Sequence, residues 1–168
     1  MNSIQYQRQR ADHAKRYLLR VIQDVSSEEA YLFSSPTWPK HKWHIGQDGS
    51  IAGLVYHVIA WKILTLPVLE GHPVNLDVSE FNVQSAPDFS NWSSISSWAV
   101  EVSENWYMRL SELSDETIES SFCTWDNGES VPLSRIITDI YEHDIQHAAQ
   151  IEYLLSRIEA QRAENNSA

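Results

Sequence analysis

Residues 133–162 read LSRIITDIYEHDIQHAAQIEYLLSRIEAQR, and this stretch decides the fold. Its apolar residues recur at alternating steps of four and three, so they lie on one face of a predicted helix. Pro132 is tolerated in the first turn, and the residues from about 161 to 168 are expected to form a frayed tail. The buried face is polar in its middle, where a core helix is ordinarily apolar. The inward row comprises Leu133, Ile137, Ile140, Asp144, His147, Ile151, Leu154 and Ile158.

Three further segments have the same helical period. Residues 4–25 and 91–113 each show one apolar face, and another helix follows Ser50, a typical N-cap, and ends between Pro67 and Gly71. Four long helices without a competing strand pattern predict an all-α fold, a four-helix bundle with its functional site between the helices.

The connections between these helices are predicted to hold short extra elements. Residues 28–33 form a short helix, whereas 34–49 and 72–88 read as loops because they lack a period and contain Pro and Gly. Asn127 followed by Gly128 is typical of a tight turn, so we expect a small hairpin there.

The most apolar stretch, residues 51–69, approaches membrane-spanning length. His57, Lys62 and Thr65 interrupt it, and Pro67 breaks it near its end. We interpret it as a core helix and expect no association with a membrane.

Composition and charge narrow the class of protein. The 168 residues, 42% of them hydrophobic, favour a single globular domain over residues 1–168. A formal net charge of -11 repels phosphate backbones, so nucleic acid is not expected as a partner. The single cysteine, Cys123, has no partner for an internal disulfide, and the first twenty residues lack the apolar segment of a secretion signal. We therefore expect a cytoplasmic protein.

Three histidines occupy inward positions of two predicted helices. His143 and His147 are four residues apart, which places both imidazoles on one helical face, as a divalent metal requires. His57 lies midway along another helix among apolar neighbours. Because unpaired buried imidazoles are costly, a shared metal ion is their simplest partner. The alternative is that the histidines bind other side chains or lie at the surface.

The two motifs that carry these histidines resemble a known family. GSIAGLVYHVIAWK at residues 49–62 and EHDIQHAAQIEYLL at residues 142–155 are similar in order and spacing to the DinB/YfiT-like superfamily of bacterial metal-binding four-helix bundles. The resemblance implies that His57, His143 and His147 are the ligands of one divalent ion such as nickel, zinc, iron or manganese. It also implies a homodimer.

The ligand count favours a catalytic site over a structural one. Three neutral imidazoles leave coordination positions open for water or a substrate atom. We predict a metal-dependent enzyme that acts on a small molecule, and the resemblance implies either a hydrolase or a transferase that uses a low-molecular-weight thiol. The alternative is a non-catalytic bundle that binds or sequesters metal. No phosphate-binding loop, GxSxG elbow or CxxC pair points to other chemistry.

Several polar residues near the predicted ligands have two interpretations. Asp144 is either an orienting group or general base at the site, or a carboxylate that faces solvent. Gln150 either bonds a ligand histidine or is solvated. Tyr56 either supplies a phenol to the site or faces away from His57, and the second is expected because neighbouring side chains diverge around a helix. Asp139 and Glu142 are expected to lie on the solvated face.

The remaining histidines and the cysteine are expected to have no functional role. His41 and His44 suit a metal only if their loop forms a helix, so we assign them no role. His13 and His72 are interpreted as surface residues. Cys123 has no adjacent cationic residue in the sequence, so it is expected to be inert.

Seven tryptophans are many for a core of this size. Trp61, Trp98 and Trp106 fall at core spacings of their helices. The other four lie outside helices or at their edges, and a homodimer interface would cover their rings. These four are Trp38, Trp43, Trp92 and Trp125.

Overall fold

The computed structural model describes residues 3–38, 45–72, 75–76, 87–125 and 128–167. Four long helices, α1, α3, α4 and α6, pack as a bundle, which confirms the predicted all-α architecture. Two short helices and three short strands lie in the connections. The elements are α1 Ser3–Gln23, α2 Ser27–Tyr31, α3 Ile51–Leu69, β1 Asn75–Leu76, α4 Trp92–Glu112, α5 Asp115–Ser120, β2 Phe122–Trp125, β3 Ser130–Pro132 and α6 Leu133–Ser167.

The start of α3 is fixed by its predicted cap. Ser50 Oγ accepts a hydrogen bond from the backbone N–H of Gly53 at 3.0 Å, so one otherwise unpaired donor of the first turn is satisfied. The preceding loop packs tightly against this turn, because a Cβ at Gly53 would lie 2.9 Å from the backbone nitrogen of Asp48. This close approach holds the loop against the end of the helix that carries His57.

The helix Ile51–Leu69 is long and apolar enough to cross a membrane, and 72% of its most apolar window is buried inside the bundle. That burial agrees with the core-helix interpretation. Helix α3 has low polarity on all its faces because it packs against α2, α4 and α6.

The core is divided into two apolar clusters by a polar layer. Along α6, the buried apolar residues through Tyr141 belong to one cluster and those from Ala148 onward belong to the other. Along α3, the change falls between Ile59 and Leu64. The polar layer is defined as His57, Lys62, His143, Asp144 and His147.

The predicted hairpin is present. Strand β2 pairs antiparallel with β3, with Cys123 opposite Val131, and Cys123 is buried. Burial raises the pKa of its thiol, which agrees with an inert cysteine. One strand is not predicted: β1 pairs in parallel with β2 inside the segment read as a loop, while residues 73–74 and 77–86 lie outside the described residues.

Two helix ends differ from the sequence-based boundaries. Helix α6 continues through Ser167, beyond Arg162, the last residue of the predicted helix. In these last turns Arg162 binds Glu29 of α2 at 2.5 Å, and Ser167 Oγ donates to Ala163 O within the helix at 2.8 Å. Helix α2 ends at Tyr31, two residues before the predicted end.

Candidate metal centre

The three predicted histidines converge between α3 and α6. His143 Nε2 lies 3.0 Å from His57 Nε2 and 3.0 Å from His147 Nε2. One nitrogen of each ring lies within 4.8 Å of the others, so the three form a group that could hold a metal ion. Two imidazole nitrogens bound to one ion at ~2.0–2.1 Å can lie about 3 Å apart. The spacing of the donor atoms therefore fits a shared ion.

The orientation of His147 is fixed by Gln150, one turn further along α6. His147 Nδ1 lies 2.6 Å from Gln150 Oε1, and because an amide oxygen only accepts, the Nδ1–H of His147 donates to it. The Nε2 atom of His147 then carries the lone pair that a metal ligand needs. Of the two interpretations of Gln150, the structure shows the bond to a histidine of the three-histidine group.

The imidazole of His143 is held neutral. Burial lowers its pKa to about 2, and the neighbouring His147, His57 and Lys62 add repulsion against a positive charge. A neutral ring keeps a lone pair available for a metal ion at neutral pH.

The observed partner of Asp144 is neither a histidine of the site nor solvent. It is 3% exposed, so the solvent-facing alternative is wrong. Its carboxylate pairs with Lys62, which is 2% exposed, and the pair joins α6 to α3 beside the histidines. The carboxylate is not among the groups that line the cavity described next. Its observed bond is therefore to a lysine, not to a histidine.

A cavity of about 810 Å³ opens above the three histidines. All three rings contribute to its lining, and helices α3 and α6 supply most of the remaining surface. Trp61 packs edge-on against His57, with ring centroids 6.4 Å apart, and lies 6.2 Å from the ring of His143. Trp61 therefore forms a wall of this cavity as well as packing in the bundle.

Two carboxylates line the same cavity. Asp139, predicted to be solvated, bonds Arg135 at 2.8 Å and is partly desolvated, which raises its pKa. Glu129 comes from the turn before β3 and was not predicted from the sequence, because nothing in its local pattern marks it. Glu142 is exposed, as predicted.

The remaining candidates lie away from the histidines or outside the described residues. Tyr56 packs on Trp98 and Phe89, so it faces away from His57 as predicted. His13 and His72 are exposed, which confirms their interpretation as surface residues. His41 and His44 belong to residues 39–44, which are outside the described part of the chain.

The four tryptophans that a dimer interface was expected to cover differ in their exposure. Trp92 is 6% exposed, and its indole N–H donates to Val25 O at 2.7 Å, so this ring is covered within the chain. Trp38 is 38% exposed and lies at the cavity. The rings of Trp43 and Trp125 are outside the described side chains. Of these four, Trp92 gives no reason to expect a dimer.

Replacing Gln150 with alanine is expected to weaken metal binding by about 10- to 100-fold, because loss of the acceptor frees the His147 ring to rotate. The dissociation constant, measured by competition with a chelator, checks this. Gln146→Ala is the matched control, since Gln146 is an exposed glutamine that lines the same cavity on the same helix. Equal affinities of the two variants would contradict the assigned role of Gln150.

Comparisons with protein-family models, with curated proteins and with solved structures found no match for this chain. What its own residues establish is a mostly helical protein with a buried three-histidine cluster that could hold a metal ion.

Proposed function

We propose that this protein is a metal-dependent enzyme of the DinB/YfiT-like type that acts on a small molecule. The observation that carries the proposal is the position of the three histidines, whose rings all line a cavity of about 810 Å³. A buried structural site needs no such space, whereas a catalytic site keeps room for a reactant beside the ion.

The donor set fits one divalent ion of the nickel, zinc, iron or manganese group. Imidazole nitrogen suits several of these ions, and the bond from His147 to Gln150 is the outer support that metal-binding histidines commonly have. When bound, such an ion supplies Lewis-acid chemistry, which activates water for hydrolysis or a thiol for transfer.

The residues around the histidines supply binding and proton transfer. Trp61 and the neighbouring apolar side chains exclude water from one side of the cavity. Asp139 and Glu129 are the carboxylates of the described lining, and either can accept a proton from water or from a thiol. Desolvation raises the pKa of Asp139, which makes its carboxylate a stronger base than an exposed one.

The test uses cobalt(II)-substituted protein, followed by a reaction screen. We expect azide to change the visible spectrum of the cobalt, and ester hydrolysis or thiol transfer to small electrophiles to require His143. A spectrum that no added anion or thiol changes would overturn the proposal and favour the metal-sequestering alternative. His143→Ala serves as the control for adventitious metal in the screen.

A homodimer in the cytoplasm is part of the same proposal. It is supported by the resemblance to DinB-like bundles and by exposed aromatic side chains such as Phe122, which is 60% exposed on β2. Light scattering at micromolar concentration would show twice the chain mass for a dimer, and the mass of one chain would contradict it.

A further inference from the structure

The cavity above the histidines has aromatic and aliphatic walls. Leu54, Ile136 and Ile140 are buried residues that present apolar surface to it. Trp61 stands beside the histidine rings, and two further rings, Trp38 and Tyr153, line the cavity while remaining 38% and 63% exposed. Large exposed rings around a concave apolar surface are typical of a site that buries a ligand.

The backbone holds Trp38 in this position. Gly49 has a φ of 89°, and a Cβ there would lie 2.7 Å from Cε3 of the Trp38 ring. The absence of a side chain at Gly49 therefore lets the indole lie against the loop backbone. A ring packed in this way presents a preformed apolar face to a ligand, since little side-chain freedom remains to be lost on binding.

The charges of the lining disfavour an anionic ligand body. Within the described residues, the charged groups of the lining are the carboxylates of Glu129 and Asp139, and the described lining includes no lysine or arginine. Asp139 is already paired with Arg135 at 2.8 Å, so that guanidinium is not a free partner for a carboxylate or phosphate on the ligand. The formal net charge of -11 adds a long-range repulsion of the same sign.

We propose that the substrate is a small molecule with an uncharged, ring-sized apolar body attached to one metal-binding head group. The head group reaches the three histidines, and the body lies between Trp61 and Trp38. This inference rests on the proposed function, because the head group needs an ion with an open position. It goes further in naming the chemical class of the remainder of the molecule.

Three hydroxamates that share one head group test the proposal on the cobalt(II) protein. Acetohydroxamate has no ring, benzohydroxamate has an uncharged ring, and 4-carboxybenzohydroxamate has the same ring with a carboxylate. We expect benzohydroxamate to bind at least about tenfold more tightly than acetohydroxamate, because the ring leaves water. We expect 4-carboxybenzohydroxamate to bind at least about tenfold more weakly than benzohydroxamate. The readout is the change in the visible spectrum.

Variants distinguish the contribution of the cavity walls to hydroxamate affinity from that of the metal. Trp38→Ala is expected to lower the affinity for benzohydroxamate and leave that for acetohydroxamate unchanged, because the ring lines the cavity and is not one of the three histidines. Tyr6→Ala is the matched control, since Tyr6 is a 49% exposed ring on α1 that is not part of the described lining. Trp61→Phe tests the inner wall with an aromatic ring retained.

Each outcome decides between the two proposals. Equal affinity for the first two hydroxamates, or tightest binding of the carboxylated one, would overturn the inference while leaving the open metal site supported. If none of the three changed the cobalt spectrum, the proposed function would fall, and the inference with it.

Discussion

Replacing Lys62 with methionine is expected to lower the free energy of unfolding by about 3–5 kcal/mol, because it leaves the Asp144 carboxylate buried without its partner. Both side chains are almost fully buried, at 2% and 3% exposure, so water cannot replace the lost ammonium. Urea denaturation followed by circular dichroism measures the change. A loss below about 1 kcal/mol would contradict the assigned importance of the pair.

Two controls sharpen this experiment. The double variant Lys62→Met with Asp144→Leu removes both charges, and we expect it to recover most of the lost stability, since apolar residues of similar size commonly replace a buried ion pair at little cost. Arg135→Met breaks the more exposed pair with Asp139 on the same helix, where the side chains are 64% and 36% exposed. Its expected cost is below about 1 kcal/mol.

Replacing His147 with alanine is expected to abolish stoichiometric metal binding. The variant loses one of three nitrogen donors, and two histidines with weakly held water do not retain an ion through purification. Elemental analysis of untagged protein gives the metal content per chain. His13→Ala is the control, because His13 is exposed and is not part of the three-histidine group.

The variant in which His57, His143 and His147 are all alanine provides the decisive comparison. If it kept one tightly bound ion per chain, the ligand assignment would be wrong. A second readout is thermal unfolding: metal at about 1,000 times its dissociation constant stabilises the native state by ~4 kcal/mol. We expect the corresponding rise in melting temperature in the native protein and none in the triple variant.

The sequence was sufficient to predict the helices and the convergence of the histidines. The reason is that both depend on a periodicity that can be counted along one segment. His143 and His147 share a face whatever the tertiary structure is, and His57 is enclosed by apolar residues on its own helix. Three inward histidines on two helices are therefore enough to indicate a shared centre.

The partner of Asp144 could not be read in the same way. Lys62 lies 82 residues away, and only the packing of α3 against α6 brings them together. A signal was present, because a lysine in the most apolar helix and an aspartate in the inward row of another are both costly unless paired. Matching such interruptions across helices would have suggested the pair.

The walls of the cavity depend on segments that local patterns do not connect. Trp38 and Glu129 come from two loops far apart in sequence, and their approach to α6 is a product of the tertiary fold. Strand β1 illustrates the same limit, since two residues paired with β2 have no periodicity of their own. The walls of this cavity are thus less predictable than the three histidines that contribute to its lining.

The polar layer also restricts how the bundle can be aligned. The apolar rows of α3 and α6 repeat every turn, so apolar packing alone would tolerate a slide of one helix along the other. A slide of one turn moves a residue by about 5.4 Å, which would separate Asp144 from Lys62 and place each charge against an apolar cluster. The ion pair therefore selects one register of the two helices, and in that register the three imidazoles meet.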